Sequence, residues 1–384
     1  MLLTGVTGCP KQGEHFDYQP ADIRLTPSSA LAETEVVPSL LTPLAESQNT
    51  VWCATFPLVW ANTVNTMTRA PLQVSNVPEA LLNQLNHSGI DERLLPPGSY
   101  YTAAGRVDQG IVRRIQTELV RQFPNAQPPA FEGATGFVSY AYLENKVQFA
   151  QPYSETYKPI DFHEASGKTV PVRGFGLHPG TDFDLIEEQA RQIQLLFSES
   201  EIPDQRWKAT AFALQLAGEQ ADDDVIVAVL PKAANLQEAL DDLERRRQKF
   251  QSSSEEKSLP SSPVVMIPNV DFYVDHVFQE LCGPEHRIQN QGEYEGLPVT
   301  DARQRLRFRL DRSGATIVAQ ANYAMASAPS EFIADRPFLI VMKRRTAKQP
   351  YFVAWIETAE LLEQAGETLS EQPAQEPLAV PQGD

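Results

Sequence analysis

The stretch FIADRPFLIVM, at residues 332–342, is the most informative in the sequence, because it ends in an uninterrupted apolar run. Residues 351–356, YFVAWI, show the same pattern, and the charged stretch KRRTAKQP separates the two. Apolar runs of this length predict strands that are buried on both faces. The charged connection predicts an exposed hairpin turn, so we expect two central strands near the C-terminal end of the domain.

Further strands and helices are predicted upstream of this hairpin. Strand-like patterns occur at residues 136–143, 224–231, 263–274 and 305–310. Helix-like patterns occur at residues 51–67, which are apolar nearly all round; at 110–123, where Ile111, Ile115, Leu119 and Phe123 lie four apart; and after Asn235, an N-cap with Glu238 three residues later. Helices come mostly early and strands mostly late, which predicts an α+β fold.

The chain divides into three parts by composition. Residues 1–45 are polar and proline-bearing and are interpreted as a tail or lead-in. Residues 46–357 form the predicted domain, which includes a low-complexity surface loop at 252–263. Residues 358–384 are acidic and rich in Pro and Gln, as in disordered tails.

Composition excludes several classes of partner. The net charge of −18 would repel nucleic acid and anionic membranes. No apolar run is long enough for a transmembrane helix, and an apolar share of 42% predicts a soluble globular core. Three cysteines do not make a disulfide framework. We expect a monomer.

The N-terminal residues Val6-Thr7-Gly8-Cys9 resemble the lipobox of bacterial lipoprotein signals. A complete signal would have a longer, basic front end, which this sequence lacks. Either the true start lies upstream of Met1, or the match is accidental. The first alternative predicts export to the periplasm or the extracellular side, with a lipid on Cys9 as the membrane tether. The second leaves a cytoplasmic location open.

Motifs of common enzyme classes are absent from the sequence, which contains no GxSxG, GxxxxGK[ST], HExxH or CxxC. Residues 174–180, GFGLHPG, superficially resemble a phosphate-binding loop, but their spacing predicts a turn. His276 lies at the start of a predicted helix and is interpreted as a packed or surface residue. We therefore predict no enzyme activity, no catalytic residue, no metal site and no cofactor.

Residues 332–342 resemble the signature segment of the serpin family position by position, with Ala334, Asp335, Arg336 and Pro337 ahead of the apolar run. The resemblance extends over roughly residues 49–357. It is supported by further segments in the right order, at residues 136–153, 224–244, 264–272 and 297–314. It implies a serpin-like α+β fold with three β-sheets, several helices and an exposed reactive loop.

In this resemblance, the segment SGATIVAQANYAMASAPS at residues 313–330 is the reactive loop. It is uncharged in a chain that is 21% charged, and a run of this length arises by chance with a probability of about 1–2% at a given start. The family implies that a protease cleaves the loop, which then inserts as a strand into the main sheet and traps the acylated protease. The residues implied for the hinge and the inserting part are Arg312, Ser313, Gly314, Ala315, Thr316, Ile317, Val318, Ala319, Gln320 and Ala321.

The alternation of side chains in this segment fits a half-buried strand. After Gly314, one phase is wholly apolar and the other is mixed. The apolar phase contains Ala315, Ile317, Ala319, Ala321, Tyr323 and Met325. The mixed phase contains Thr316, Val318, Gln320, Asn322, Ala324 and Ala326.

The scissile bond is expected at Met325-Ala326, Ala326-Ser327 or Ser327-Ala328, because Pro329 would block cleavage after Ala328. Small residues suit an elastase-like or subtilisin-like protease, and Met325 or Tyr323 suits a chymotrypsin-like one. The predicted partner is thus a serine protease, or a cysteine protease.

Two departures from the family keep two functions open. Arg312-Ser313 replace the usual acidic pair, and Ile317-Val318 are bulkier than the usual alanines, which would slow insertion. The family's Ser-Pro-x-Ser segment is aligned with Phe56-Pro57-Leu58-Val59, and its histidine beneath the sheet with Gln304. The protein is therefore either an inhibitor of a serine-type endopeptidase or a non-inhibitory binding or structural protein on the same fold.

Overall fold

The computed structural model describes ten parts of the chain. They are residues 24–65, 69–131, 133–146, 149–178, 183–200, 208–217, 223–253, 259–260, 263–312 and 330–366. Within them, the strands form three larger sheets and one small hairpin, and helices pack against the sheets. This arrangement confirms the α+β class and the three expected sheets, to which the structure adds the hairpin.

The five-stranded sheet is mixed. Its strands, in spatial order, are β1 (Thr26–Pro27), β14 (Val270–Val277), β15 (Val299–Leu310), β5 (Phe137–Lys146) and β4 (Tyr100–Arg106). β15 runs antiparallel to β14 but parallel to β5, and β5 runs antiparallel to β4.

The seven-stranded sheet contains the predicted C-terminal hairpin. Its spatial order is β10 (Ile193–Glu199), β11 (Ala211–Ala217), β12 (Asp223–Val229), β17 (Phe338–Arg344), β18 (Phe352–Ile356), β3 (Asn49–Cys53) and β2 (Thr34–Val37). β17 and β18 are antiparallel, with Phe338 opposite Ile356, and the apolar residues of both are buried. The prediction of two central strands joined by an exposed turn is confirmed.

The smaller sheets correct two sequence interpretations. The four-stranded sheet has the order β16 (Ser330–Ile333), β13 (Pro263–Pro268), β9 (Gly174–Leu177) and β6 (Ser154–Glu155), and β7 (Ile160–His163) pairs with β8 (Thr169–Val172). The single strand predicted at 263–274 is two strands in different sheets. The predicted turn at 174–180 begins instead with strand β9. Glycine is required there because a Cβ on Gly176 would lie 1.9 Å from the carbonyl oxygen of Val265.

Five α-helices are present in the described ranges. They are α1 (Thr55–Thr63), α2 (Glu79–Asn86), α3 (Ile111–Gln122), α4 (Phe183–Ala190) and α5 (Leu236–Ser252). α5 begins as predicted, since the Asn235 side chain accepts a hydrogen bond from the Glu238 amide. The helix predicted at 51–67 is wrong in its first part, because residues up to Cys53 belong to β3. These residues are fully buried between neighbouring strands, so an apolar run could not reveal which element they form.

α3 covers one face of the five-stranded sheet, which we call the front face. Its buried residues Ile111, Ile115 and Leu119 pack with Val138 and Tyr140 of β5. The opposite face, the core face, packs on the main hydrophobic core.

The buried Asn49 side chain joins the start of β3 to the end of β18. Its Oδ1 accepts hydrogen bonds from the amides of Glu357 (2.7 Å) and Thr358 (2.9 Å), and its Nδ2 donates to the hydroxyls of Thr358 (2.9 Å) and Thr34 (3.2 Å). Thr34 belongs to β2, which lies in the predicted lead-in yet pairs with β3. Packed structure therefore begins before residue 46.

We expect Asn49→Ala to lower the free energy of unfolding by about 2–4 kcal/mol, because the buried amides of Glu357 and Thr358 lose their hydrogen-bond acceptor. Urea unfolding followed by circular dichroism measures this. The matched control is Asn83→Ala, on an exposed position of α2. A loss for Asn49→Ala no larger than the loss for Asn83→Ala would contradict the role assigned to Asn49.

Candidate functional site

The candidate site is the seam between the parallel strands β5 and β15, together with the chain that follows β15. Register partners along the seam run from Val299 with Phe137 to Arg309 with Lys146. β15 ends at Leu310, just before the uncharged segment. A strand that turns back after β15 and lies between the two would be antiparallel to both of them. Antiparallel pairs are slightly more stable per residue than parallel ones.

Most of the predicted loop lies outside the described residues. Arg312 is described. The predicted hinge and scissile residues outside the described ranges are Ser313, Gly314, Ala315, Thr316, Ile317, Val318, Ala319, Gln320, Ala321, Tyr323, Met325, Ala326, Ser327 and Ala328. Cys9, the predicted lipidation site, also lies outside them.

The two faces of β15 differ sharply in chemistry. Leu306, Phe308 and Leu310 are buried on the core face, and on the facing strand β5 Ala141 and Leu143 are buried there as well. The alternate residues of β15 from 303 to 309 are arginines on the front face. A strand that enters the seam must therefore present apolar side chains to one face and polar ones to the other.

The arginines in the middle of β15 bind acids on β14 or on β15 itself. Arg305, which is 4% exposed, lies 2.7 Å from an Asp275 carboxylate oxygen, and Arg303 lies 3.0 Å from the same oxygen. Arg303 also binds Asp301 at 2.9 Å. Arg305 further donates to the carbonyl oxygen of Gln127, ahead of β5.

The last arginine of β15 also binds acids on β14 and next to its own strand. Arg309 binds Asp271 on β14 at 3.6 Å and Asp311 at the end of its own strand. Among the side chains that the structure describes, no ion pair joins β15 to β5. Besides backbone pairing, the hydrogen bond from Arg305 to the Gln127 carbonyl oxygen ties β15 to the β5 side, whereas the ion pairs described above bind β15 to β14 or lie within its own strand.

A polar contact lies beneath the seam on the core face. The fully buried Gln304 donates from Nε2 to the hydroxyl of Thr55 (2.7 Å) and, at 3.4 Å, to the carbonyl oxygen of Cys53. Burial raises the pKa of Cys53 to about 11, so this thiol is neutral at pH 7. The polar partners of Gln304 therefore lie at positions 53 and 55, just ahead of Phe56-Pro57-Leu58-Val59. Those four residues are buried in α1.

The chain just after β15 is held by a network of ion pairs. Arg312 lies 3.8 Å from a Glu155 carboxylate oxygen on β6. Arg173 lies 3.9 Å from the other Glu155 oxygen and 3.5 Å from Glu363. These groups are partly exposed, so each pair contributes only about 0–1 kcal/mol. Together they connect the hinge to the four-stranded sheet.

His276 is a strand residue, and its assignment to a helix start is wrong. It lies on β14, and its Nδ1 is 2.8 Å from the Ser28 hydroxyl beside β1. Burial lowers the pKa of His276 to about 4, so the ring is neutral at pH 7 and acts as a packed residue. Helix propensity could not anticipate the pairing of this segment with β15.

The described ranges lack two features that would indicate other functions. No group of three or more His, Cys, Asp and Glu side chains is placed to hold a metal ion there. None of the helices in the same ranges has the length and apolar content needed to cross a bilayer.

Sequence reasoning missed the acidic partners of the arginines. The signal was present, because RLRFRL places arginines at alternate positions of one face and VDFYVD places Asp271 and Asp275 on one face of another strand. Only the register of β14 with β15 reveals that they meet.

No protein-family model matches the sequence, and no curated protein matches it. Solved structures do show similarity over most of the chain. The Arabidopsis serpin in its native stressed conformation matches with 12% identity and a TM-score of 0.48, over 83% of this chain and 93% of the other. A Manduca sexta serpin matches with 13% identity and a TM-score of 0.46, over 84% and 95%.

Uncleaved ovalbumin matches with 12% identity and a TM-score of 0.45, over 81% of this chain and 93% of its own. The structure is similar to those of serpins.

We expect Asp271→Asn to stabilise the protein above pH 6. Burial raises the pKa of Asp271 from 3.8 to about 6, against the opposing effect of Arg309 and Arg307, while Asp311 and Glu363 reinforce the rise. A raised carboxyl pKa contributes stability below pH 4, and this contribution is lost as the pH rises through 6. The variant should gain about 1–2 kcal/mol at pH 7.5 and about a third of that at pH 4.5.

Urea unfolding at the two pH values measures this difference. The control is Asp161→Asn, at an exposed position of β7. An equal gain for Asp271→Asn at pH 4.5 and pH 7.5 would show that the carboxylate charge is not responsible.

Proposed function

We propose that the protein inhibits a serine-type endopeptidase by cleavage of a bait loop and insertion of that loop as a strand. One observation carries the proposal. β15 ends two residues before an uncharged segment with one wholly apolar phase, and its neighbour β5 runs parallel to it.

The proposed reaction begins when the protease serine attacks a carbonyl between Met325 and Ala328. The peptide bond breaks, the new amine leaves with the downstream chain, and an ester joins the loop to the protease. The released segment then turns back after Gly314 and enters the seam. Inhibition requires that insertion be faster than hydrolysis of the ester by water.

Side-chain chemistry fits insertion in one phase only. Residues such as Ala319 and Ala321 would face the core between Leu306 on β15 and Leu143 on β5. Gln320 and Asn322 would face the front, where the arginines of β15 lie. In the opposite phase, their amides would be buried in an apolar core without partners, at a cost of several kcal/mol.

The cost of opening the seam is limited by how the two halves are held. The ion pairs of Arg303 and Arg305 with Asp275 and of Arg309 with Asp271 lie on the β14 side of the opening, whereas the hydrogen bond from Arg305 to the Gln127 carbonyl oxygen crosses it. α3 packs on β5 and β4 and can move with them. The Gln304 contact with Thr55 crosses beneath the opening. One parallel strand pairing would be replaced by two antiparallel ones.

The alternative is a non-inhibitory protein that uses the same fold to bind a partner. It is favoured by Ile317 and Val318, whose branched side chains would slow entry into a packed sheet, and by the tether of Arg312 to Glu155. Under this alternative, a protease would cut the segment and leave.

Incubation with elastase, subtilisin and chymotrypsin, followed by a denaturing gel, distinguishes the two functions. Inhibition predicts a band at the summed mass of the protein and the protease, and a rise in melting temperature of the cleaved protein. Cleavage between residues 325 and 328 without such a band would reject inhibition and support the binding protein.

Two matched variants test the phase of insertion. Ala321→Arg places a charge in the phase predicted to face the core, so cleavage should occur but neither the band nor the thermal shift should follow. Gln320→Arg places the same charge in the front phase and should retain both. Equal behaviour of the two variants would contradict the predicted phase.

A further inference from the structure

The outer edge of β4 ends the five-stranded sheet and is a second place where this chain presents unpaired backbone. The amide of Glu144 donates to the carbonyl oxygen of Ser99, and the amide of Val107 donates to that of Gly136. Odd-numbered residues of β4 therefore direct their N–H and C=O groups at β5. By alternation, the even-numbered residues direct theirs outward.

α3 covers part of this edge. The Gln122 side chain donates to the outward carbonyl oxygen of Tyr100 at 2.8 Å, and the Arg114 guanidinium donates to that of Ala104 at 3.2 Å. Thr102 lies between these two positions. Among the residues that the structure describes, nothing hydrogen-bonds to its outward N–H and C=O. The side chains of Gln122 and Arg114 thus occupy the edge on both sides of Thr102, so a short strand can pair there but a long one cannot.

A cavity of about 460 Å³ opens at this uncapped position. Its walls include Val59 and Thr63 of α1, the β4 residues around Thr102, and Arg114 and Glu118 of α3. The volume lies within the range of sites for small organic ligands. The lining combines apolar side chains with one free backbone donor and one free backbone acceptor, which is what a peptide group requires.

Opposite charges lie on the α3 wall of this cavity. Arg114 and Glu118 are four residues apart on α3, which corresponds to a rise of about 6 Å. Neither is paired with the other in the described structure. Arg114 makes no ion pair with any described residue, and Glu118 is bound by Arg121 through a single oxygen. A ligand with an ammonium group and a carboxylate separated by two or three extended residues, about 7–10 Å, can reach both groups.

We propose that this cavity binds a free peptide of two or three residues. The peptide groups of the ligand pair with the outward N–H and C=O of Thr102. Its C-terminal carboxylate binds Arg114, and its N-terminal ammonium binds Glu118. The site uses no residue of the seam or of the uncharged segment and is independent of protease inhibition.

Isothermal titration calorimetry with trialanine, at low ionic strength, tests the proposal on the full chain. Trialanine should bind, while its N-acetylated and C-amidated forms should each bind about tenfold more weakly. Arg114→Gln should weaken trialanine binding about tenfold. Arg113→Gln, an equal change of charge at an exposed neighbouring position of α3, should leave binding unchanged.

Thr102→Pro tests the backbone contact separately. It removes an N–H that points away from β5, so the strand pairing should persist and the melting temperature should change little. Trialanine binding should weaken about tenfold. The proposal is overturned if trialanine does not bind at about 10 mM, if the blocked peptides bind as well as the free one, or if Arg113→Gln weakens binding as much as Arg114→Gln.

Discussion

The parallel pairing of β5 with β15 is the constraint on which the proposed activity depends. When two parallel strands separate, a chain that turns back after one of them can enter between them and form antiparallel hydrogen bonds with both. The uncharged segment begins two residues after β15 ends. If β5 and β15 ran antiparallel, a strand that turned back after β15 would be antiparallel to β15 but parallel to β5. It would then gain antiparallel pairing on one side only.

The forces on the two sides of this pairing are different in kind. On one side, buried and half-buried ion pairs fix β15 to β14, and they require acids and arginines in register, as with Asp275 and Arg305. On the other side, apolar packing of α3 on Tyr140 and Val138 holds β5. Separation of the strands therefore leaves buried charges paired, which avoids the large cost of an isolated buried charge.

The rest of the molecule provides a fixed base for this sheet. The Asn49 side chain hydrogen-bonds to β2 and to the residues after β18, so one buried amide holds three neighbouring strands of the seven-stranded sheet together. Gly176 allows β9 to approach β13 closely, which places β6 and Glu155 beside the end of β15. The hinge thus lies where the five-stranded and four-stranded sheets are connected.

The sequence allowed correct prediction of elements whose signals are local. The apolar runs around Phe338 and Phe352 and the capping pair Asn235 and Glu238 each act within a few residues. Elements that depend on distant partners were missed or misassigned. Pro268 and Asn269 divide a continuous β-like run between two sheets, and nothing local to His276 shows that it pairs with Gln304.

In the candidate site, too, the local pattern was predictable from the sequence and the distant contacts were not. The alternation after Gly314 was visible in the sequence. The acids that bind the arginines of β15 and the polar partners of Gln304 at positions 53 and 55 depend on register and on packing between elements. Neither strand register nor packing between elements can be read directly from a single sequence.

A reversible lock across the seam tests the central claim most directly. Ser139 and Ala302 are register partners on β5 and β15, so the double variant Ser139→Cys with Ala302→Cys places two thiols within reach of a disulfide. The measurement is the melting temperature of the protease-cleaved protein, with the disulfide oxidised and then reduced. Our account predicts a large rise on cleavage only in the reduced form. An equal rise in both forms would show that the cleaved segment does not enter between β5 and β15.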